Sequence, residues 1–206
     1  MLISIEGIDG AGKNTITQRL REELDCEVSV LSFPRYEDSV HAQLAQEALY
    51  GRMGDLTDSA YGMATLFALD RWGAKEQLLA AAESADSLLI LDRYVASNAA
   101  YSAARVGGEL IVDWVYELEF ERFGLPVPQL QIFLDTDVEV AGQRAVARAA
   151  EDEGRHRDRY ERDAGLQART AAAYRRLAQQ QWAGQWIATA DADMIIQAVK
   201  ELVGEQ

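Results

Sequence analysis

The chain has 206 residues, 20 of them Lys or Arg and 34 Asp or Glu, for a formal net charge of −14 at pH 7. That excess of acid excludes a broad nucleic-acid-binding face, and any anion must be gripped by positive charge gathered locally. The single cysteine, Cys26, excludes an internal disulfide and reads as a buried thiol in a reducing, cytoplasmic setting. The chain starts on a strand, which leaves no room for a signal peptide, and no apolar run is long enough to span a membrane.

Leu2–Ile5 is a short apolar run rich in β-branched residues and predicts strand one. Gly7-Ile8-Asp9-Gly10-Ala11-Gly12-Lys13-Asn14-Thr15 follows, and Ile16, Leu20 and Leu24 then recur at helical spacing. Strand, glycine loop, lysine and helix in that order make a phosphate-binding loop. Gly7, Gly10 and Gly12 let the backbone turn its N–H groups inward around Ala11. The helix start adds its unpaired N–H groups, and Lys13 adds a full charge for the outer phosphates. After the lysine such loops usually carry a hydroxyl that ligates Mg²⁺; here Asn14 stands there and the hydroxyl comes on Thr15. Asp9 is a hard carboxylate inside the loop and a candidate metal ligand.

Residues 26–31 alternate and predict strand two, which Phe33-Pro34-Arg35-Tyr36 ends. Residues 39–50 predict a helix broken by Gly51 and Gly54, and 58–82 one long helix capped by Thr57 or Asp58. Leu88–Leu91 is a continuous apolar run, as in a central parallel strand, and it ends in Asp92-Arg93-Tyr94. Helices are expected over 109–123, 138–149, 162–181 and 191–203, with strands at 130–134 and 185–189. The alternation predicts one domain over 1–206, an α/β fold with a parallel sheet flanked by helices. Ligands of such sheets bind at the carboxyl ends of the strands, where the glycine loop, Phe33–Tyr36 and Asp92–Tyr94 all lie.

Asp92, at the end of an apolar strand, resembles a Walker B carboxylate that holds Mg²⁺ through water, and Arg93 can clamp a phosphate bidentately; a structural ion pair at a strand end is the alternative. From Arg144 to Arg162, arginines interleave with Glu151, Asp152, Glu153, Asp158 and Glu161. That is either a solvated charged helix or an Arg-rich flap that stabilises spreading charge and excludes water during phosphoryl transfer. Phe67 and Arg71 sit one helical turn apart, as core and surface residues or as a stack and a donor for a flat base.

Over nearly its whole length the chain resembles the thymidylate kinases of the bacterial kind. The resemblance rests on Gly7–Thr15, Phe33–Tyr36, Ala64–Arg71, Leu91–Tyr101 and Arg157–Glu161. It implies the P-loop nucleoside monophosphate kinase fold, with a five-stranded parallel sheet and a mobile lid over about 144–160. It also implies transfer of the ATP γ-phosphoryl group to dTMP with Mg²⁺, on the way to dTTP, by a homodimer.

By the same resemblance Gly10–Thr15 hold the ATP phosphates, with Arg144, Arg148 and Arg155 in the lid. Asp9 lies between the two nucleotides, and Arg93 and Arg35 address the acceptor phosphate. Phe67 stacks on thymine beside Phe33, Arg71 donates to a base carbonyl, and Ser97 and Asn98 meet the base edge. Tyr101 sits against the sugar, while Tyr36, Tyr160 and Glu161 close over it. Asp9, Glu161 and Asp92 are the expected metal carboxylates. Gly10 stands where eukaryotic-type enzymes carry a loop arginine, so catalytic arginine is expected from the lid, although Glu151 stands where the pattern calls for one. The rival readings are a P-loop kinase for another acceptor, a GTP switch, which lacks the Asn-Lys-x-Asp motif, and a non-catalytic nucleotide-binding protein.

Overall fold

The structure is a computed structural model. It describes residues 1–84, 86–151 and 158–204, the side chains of 148, 149 and 151 excepted. Five parallel strands, β1 (Leu2–Glu6), β2 (Glu27–Ser32), β3 (Ser87–Asp92), β4 (Leu130–Phe133) and β5 (Trp186–Ala188), form one sheet in the order β2-β3-β1-β4-β5. β1 lies between β3 and β4, with Ile3 opposite Ile90 on one side and Leu130 on the other. The helices are α1 (Lys13–Glu23), α2 (Val40–Leu49), α3 (Ala60–Trp72), α4 (Lys75–Glu83), α5 (Val95–Val106), α6 (Leu110–Tyr116), α7 (Val138–Glu151), α8 (Arg159–Arg162), α9 (Ala164–Gln179) and α10 (Ala192–Val203).

The period of two along β3 sorts its side chains between two cores. Leu88 and Ile90 join Ile3, Ile5 and Ile132 against Leu20 of α1 and Ile195 and Val199 of α10. Leu89 and Leu91 join Leu2 and Phe133 against Ala99, Ile111 and Tyr174 on the other face, so helices cover both sides. A small third cluster, Ala45, Ala48, Leu49 and Met63, packs α2 on α3 and carries Phe67 and Tyr160 at its margin. Cys26 is half-buried beside the first core rather than enclosed in it.

Three readings of the sequence are corrected. The helix expected over 58–82 breaks at Gly73 into α3 and α4. The chain turns at Gly73, where an Arg35 guanidinium nitrogen lies 2.9 Å from where a Cβ would stand. Its N-cap is Ser59, whose Oγ accepts from the Gly62 N–H at 3.0 Å, because the Thr57 hydroxyl is turned inward to the Ala48 carbonyl at 2.5 Å. The helix expected over 109–123 is α-helical only to Tyr116 and continues as a wider π turn over Glu117–Arg122, with the Phe123 N–H donating to the Leu118 carbonyl. Helix α5 was not anticipated. Its Ala96, Ala99, Ala100, Ala103 and Ala104 are all buried, and these small residues admit close packing against neighbouring helices.

Candidate active site

The carboxyl ends of β1, β2 and β3 deliver the glycine loop, Phe33–Tyr36 and Asp92–Tyr94 to one edge of the sheet. Lys13 opens α1, with its Nζ 3.4 Å from the Ile8 carbonyl and 3.5 Å from that of Gly7. Burial, together with the nearby Arg93 charge, lowers Lys13 to about 8. Gly10 (φ 81°) is packed so tightly that a Cβ there would lie 2.0 Å from the Ala141 carbonyl oxygen, which shuts a side chain out of this part of the loop. Arg144 lies beside the loop, with a guanidinium nitrogen 3.9 Å from where a Cβ on Gly12 would stand.

Arg93 takes a left-handed backbone conformation (φ 67°), uncommon for a residue with a side chain and characteristic of functional sites. Its side chain thereby turns back over the glycine loop. Nη1 donates to the Gly7 carbonyl at 2.8 Å, Nη2 to Asp9 Oδ1 at 2.8 Å, and the guanidinium lies 5.3 Å from the Tyr101 ring centre. Burial alone would raise the Asp9 carboxyl, but the charges of Arg93 and Lys13 outweigh it and hold Asp9 at about 2, ionised. Tyr101 donates to the second Asp9 oxygen at 3.2 Å, and burial pushes its own phenol up.

Two residues that the sequence reading missed hold this arrangement. Glu6, fully buried at the end of β1, accepts from the Tyr94 N–H (2.9 Å), the Ser97 hydroxyl (2.7 Å) and the Tyr174 hydroxyl (3.1 Å), and so fixes the turn that carries Arg93. Its only signal in the sequence is a carboxylate in an otherwise apolar buried strand. Gln167 of α9 donates to Asp9 Oδ2 at 3.2 Å and to the Tyr160 carbonyl at 3.0 Å, joining the loop to the segment beyond residue 157; nothing in the sequence marked it.

A cavity of about 220 Å³ opens beside this cluster. Its walls include Phe33, Tyr36, Phe67, Arg71, Ser97, Asn98 and Tyr101, with Asp9 and Arg93 at its loop side and Asp158, Tyr160 and Glu161 completing the lining. These side chains, all expected as site residues from the sequence except Asp158, are thus brought together. Ser97 lines the cavity, but its hydroxyl is engaged by Glu6 and by Tyr174 at 2.6 Å, which turns it from the expected base contact toward holding the turn.

Arg35 is a correction: it does not line the cavity. Asp70 is wholly buried and requires a countercharge. Arg35 supplies it, with Nε 3.0 Å from Asp70 Oδ1, Nη2 2.5 Å from the Asp70 carbonyl and the Arg35 N–H donating to Oδ2 at 2.9 Å.

Asp158 caps α8, accepting from the Tyr160 and Glu161 N–H groups at 2.7 and 2.9 Å. The Tyr160 ring stacks on Tyr101 (centres 6.2 Å, planes 11° apart) and has the Arg105 guanidinium 5.1 Å from its own centre. Of the expected lid, 144–151 and 158–160 are described. Arg155 and Arg157 lie outside the described residues, as do the side chains of Arg148 and Glu151.

Asp92 faces a second cavity, of about 510 Å³, with Asn14, Thr17 and Ser32. Asp92 Oδ1 and Thr17 Oγ1 are buried there without a hydrogen-bond partner among the described residues. Among the described residues no three His, Cys, Asp or Glu side chains cluster as a metal cage, and no helix is long and apolar enough to cross a membrane.

The thymidylate kinase family model matches residues 5–203. Thymidylate kinases from two strains of Mycobacterium tuberculosis are each 51% identical to the chain over 200 residues, covering 94% of it and 93% of theirs. A thymidylate kinase from Akkermansia muciniphila is 36% identical over 171 residues, covering 81% of the chain and 74% of that protein. Among solved structures, a thymidylate kinase from Candida albicans superposes with a TM-score of 0.70 at 22% identity, covering 98% of this chain and 90% of its own, and so shares the fold.

Proposed function

We propose, for a chain that belongs to the thymidylate kinase family, that the cavity between Phe67 and Arg93 takes dTMP and the glycine loop takes the phosphates of ATP. The activity of the chain is phosphorylation of dTMP. One observation carries the assignment of parts: the flat-walled cavity ends at Arg93 and Asp9, which are bonded directly to the phosphate-binding loop.

In this reading Phe67 stacks on the base, and Arg71 and Asn98 meet its edge. Tyr101 lies against the sugar, where its bulk disfavours a 2′-hydroxyl. Arg93 holds the acceptor phosphate in line with the phosphates cradled by Gly10–Thr15 and Lys13. The acceptor is already an anionic oxygen, so no base is needed; positioning and charge stabilisation carry the rate. Asp9, kept ionised and fixed by Arg93, Tyr101 and Gln167, is a spacer between two anions and keeps Arg93 aimed. Arg144 beside Gly12 belongs to the ATP side, and the lid arginines Arg148 and Arg155 are assigned with it.

The fit for Mg²⁺ is best at Asp92. Its buried oxygen lacks a partner among the described residues and Asn14 lines the same cavity, whereas both Asp9 oxygens already accept hydrogen bonds; Glu161 stands on the acceptor side. A hard cation with few protein ligands, completed by water and phosphate, suits so sparse a set. When bound, Mg²⁺ would neutralise charge on the transferred phosphoryl group.

We assign a homodimer through the outer faces of α3, α5 and α6, where Tyr61, Val106 and Leu110 are exposed and Tyr61 meets Trp114 edge-on at 4.9 Å. A cytoplasmic setting without nucleic-acid or membrane partners accords with the net charge and the lone cysteine.

The test is ADP release from ATP and Mg²⁺ with each deoxy- and ribonucleoside monophosphate. Strong release with dTMP and none with purine nucleotides is the expected result. Release with another monophosphate alone would overturn the assignment of Phe67, Arg71 and Asn98, and tight ATP binding without release would favour the non-catalytic rival.

A further inference from the structure

Resting on the reading of the cavity as the base site, we propose that Glu119, which that reading leaves without a role, is a specificity-determining positioning residue: it fixes the polarity of the edge that the cavity offers to the base. Glu119 lies in the π turn after α6 and is wholly buried. Its Oε2 accepts from Arg71 Nε at 2.5 Å, and its Oε1 accepts from Arg71 Nη2 and from Asn98 Nδ2, each at 2.7 Å. Asn98 Nδ2 also donates to the Ala64 carbonyl at 3.0 Å.

Both protons of the Asn98 amide therefore face acceptors that carry no proton of their own: a backbone carbonyl and a carboxylate paired with arginine. Turning the amide over would set its oxygen against both of them, so only one orientation is possible. What remains for the cavity is Asn98 Oδ1, an acceptor whose only protein neighbour among the described residues is the Ser102 hydroxyl at 3.5 Å. On Arg71, Glu119 engages Nε and Nη2 and leaves Nη1 as the donor without a described protein partner. Donor beside acceptor matches a base edge with a carbonyl next to a ring N–H, the lactam of thymine or uracil. Cytosine offers an amino group next to a bare ring nitrogen, the reverse pattern, so it would face donor with donor and acceptor with acceptor.

The carboxylate is what makes the selection. A glutamine at 119 can present an N–H toward Asn98, which leaves the Ala64 carbonyl alone to hold the Asn98 amide in its orientation, and it no longer accepts from Arg71 through two oxygens. The measurement is kcat/KM for dTMP, dUMP and dCMP with the wild type and Glu119→Gln. Sites built to hydrogen-bond a group reject analogues lacking it by about 10⁴-fold, so Glu119→Gln is expected to lower kcat/KM for dTMP about tenfold or more, mainly through KM, and to shrink the dTMP-to-dCMP ratio at least about tenfold. The dTMP-to-dUMP ratio should hold, because both bases present the same edge.

An equal loss for all three nucleotides, or a changed dTMP-to-dUMP ratio, would mean a merely structural role and overturn the inference. Asn98→Ala in the same assay separates the two readings. If it leaves the dTMP-to-dCMP ratio at the wild-type value, the base-site assignment itself fails. If it collapses that ratio while Glu119→Gln does not, only the role of Glu119 fails. Should Glu119→Gln not fold, the wild type still decides: with labelled asparagine, the Asn98 side-chain amide protons should resist solvent exchange both with and without dTMP, and free exchange in either state overturns the inference.

Discussion

The Arg93 guanidinium meets the Asp9 carboxylate at 2.8 Å and the Gly7 carbonyl at the same distance, so one side chain from the end of β3 closes over the loop that follows β1. Asp9 owes its low ionisation point chiefly to that charge, against burial. Arg93→Ala is expected to cut kcat by about 10²-fold or more, the scale of removing one preorganised charge-stabilising donor, with a native circular dichroism spectrum. In the same variant the Asp9 carboxyl titrates above its wild-type value of about 2 by carbon NMR. Near-normal turnover would remove Arg93 from the acceptor phosphate.

Gln167 is the strap between Asp9 and Tyr160. Gln167→Leu keeps the volume and removes the side-chain hydrogen bonds to Asp9, Tyr101 and Tyr160. It should cost ~1–3 kcal/mol of stability, because buried partners lose their bonds. Amide exchange over residues 158–162 should quicken, and kcat/KM for dTMP should fall. Unchanged exchange there would show that α8 is held by its own Asp158 cap alone.

Lys13 is lowered to about 8 by burial and the Arg93 charge. Phosphates favour its ammonium form, so ATP binding at pH 8 should take up protons, read by calorimetry in buffers of differing ionisation enthalpy. ATP affinity should weaken as pH rises through 8, and Lys13→Ala should abolish the uptake. In the unfolded chain the lysine keeps its proton to its ordinary value of 10.5, so the unfolded state binds more protons between about 8 and 10.5. This group therefore makes stability rise with pH across that window.

Gly10 decides where arginine can come from. A Cβ there would overlap the Ala141 carbonyl at 2.0 Å, so Gly10→Arg should displace α7 rather than restore a loop arginine. Overpacking of this kind costs ~1–3 kcal/mol. A lowered melting temperature with no gain in kcat is the expected outcome; a faster enzyme would show that the loop accommodates arginine after all.

The sheet was readable because β1, β3 and β4 are buried apolar runs and the loop after β1 has a chemistry of its own. Most of the cavity wall was readable too, from Phe67, Arg71, Asn98 and Tyr101. What escaped were the residues that act on other residues. Glu119 continues the buried face of Ile111, Val112 and Val115 at helical spacing, a carboxylate where that stripe calls for an apolar side chain, but among Glu117, Glu119 and Glu121 it looked like a solvated charge. Gln167 carries no pattern at all, since its partners include Asp9 and Tyr101 from two distant segments. Arg35 misled for the opposite reason: a guanidinium beside a nucleotide site suggests phosphate, and only the fold shows that Asp70 needs it first.

The interruption between α3 and α4 has a bearing on the cavity that neither helix has alone. Arg35 reaches Asp70 by passing close over Gly73, and Phe33 and Tyr36, on either side of that arginine's segment, form one wall while Phe67 and Arg71 of α3 form another. A side chain at 73 would bring its Cβ within 2.9 Å of the Arg35 guanidinium, which would have to shift on Asp70 to make room. The notch in the helix thus leaves room for an ion pair that joins the strand-end segment bearing Phe33 and Tyr36 to the helix bearing Phe67 and Arg71.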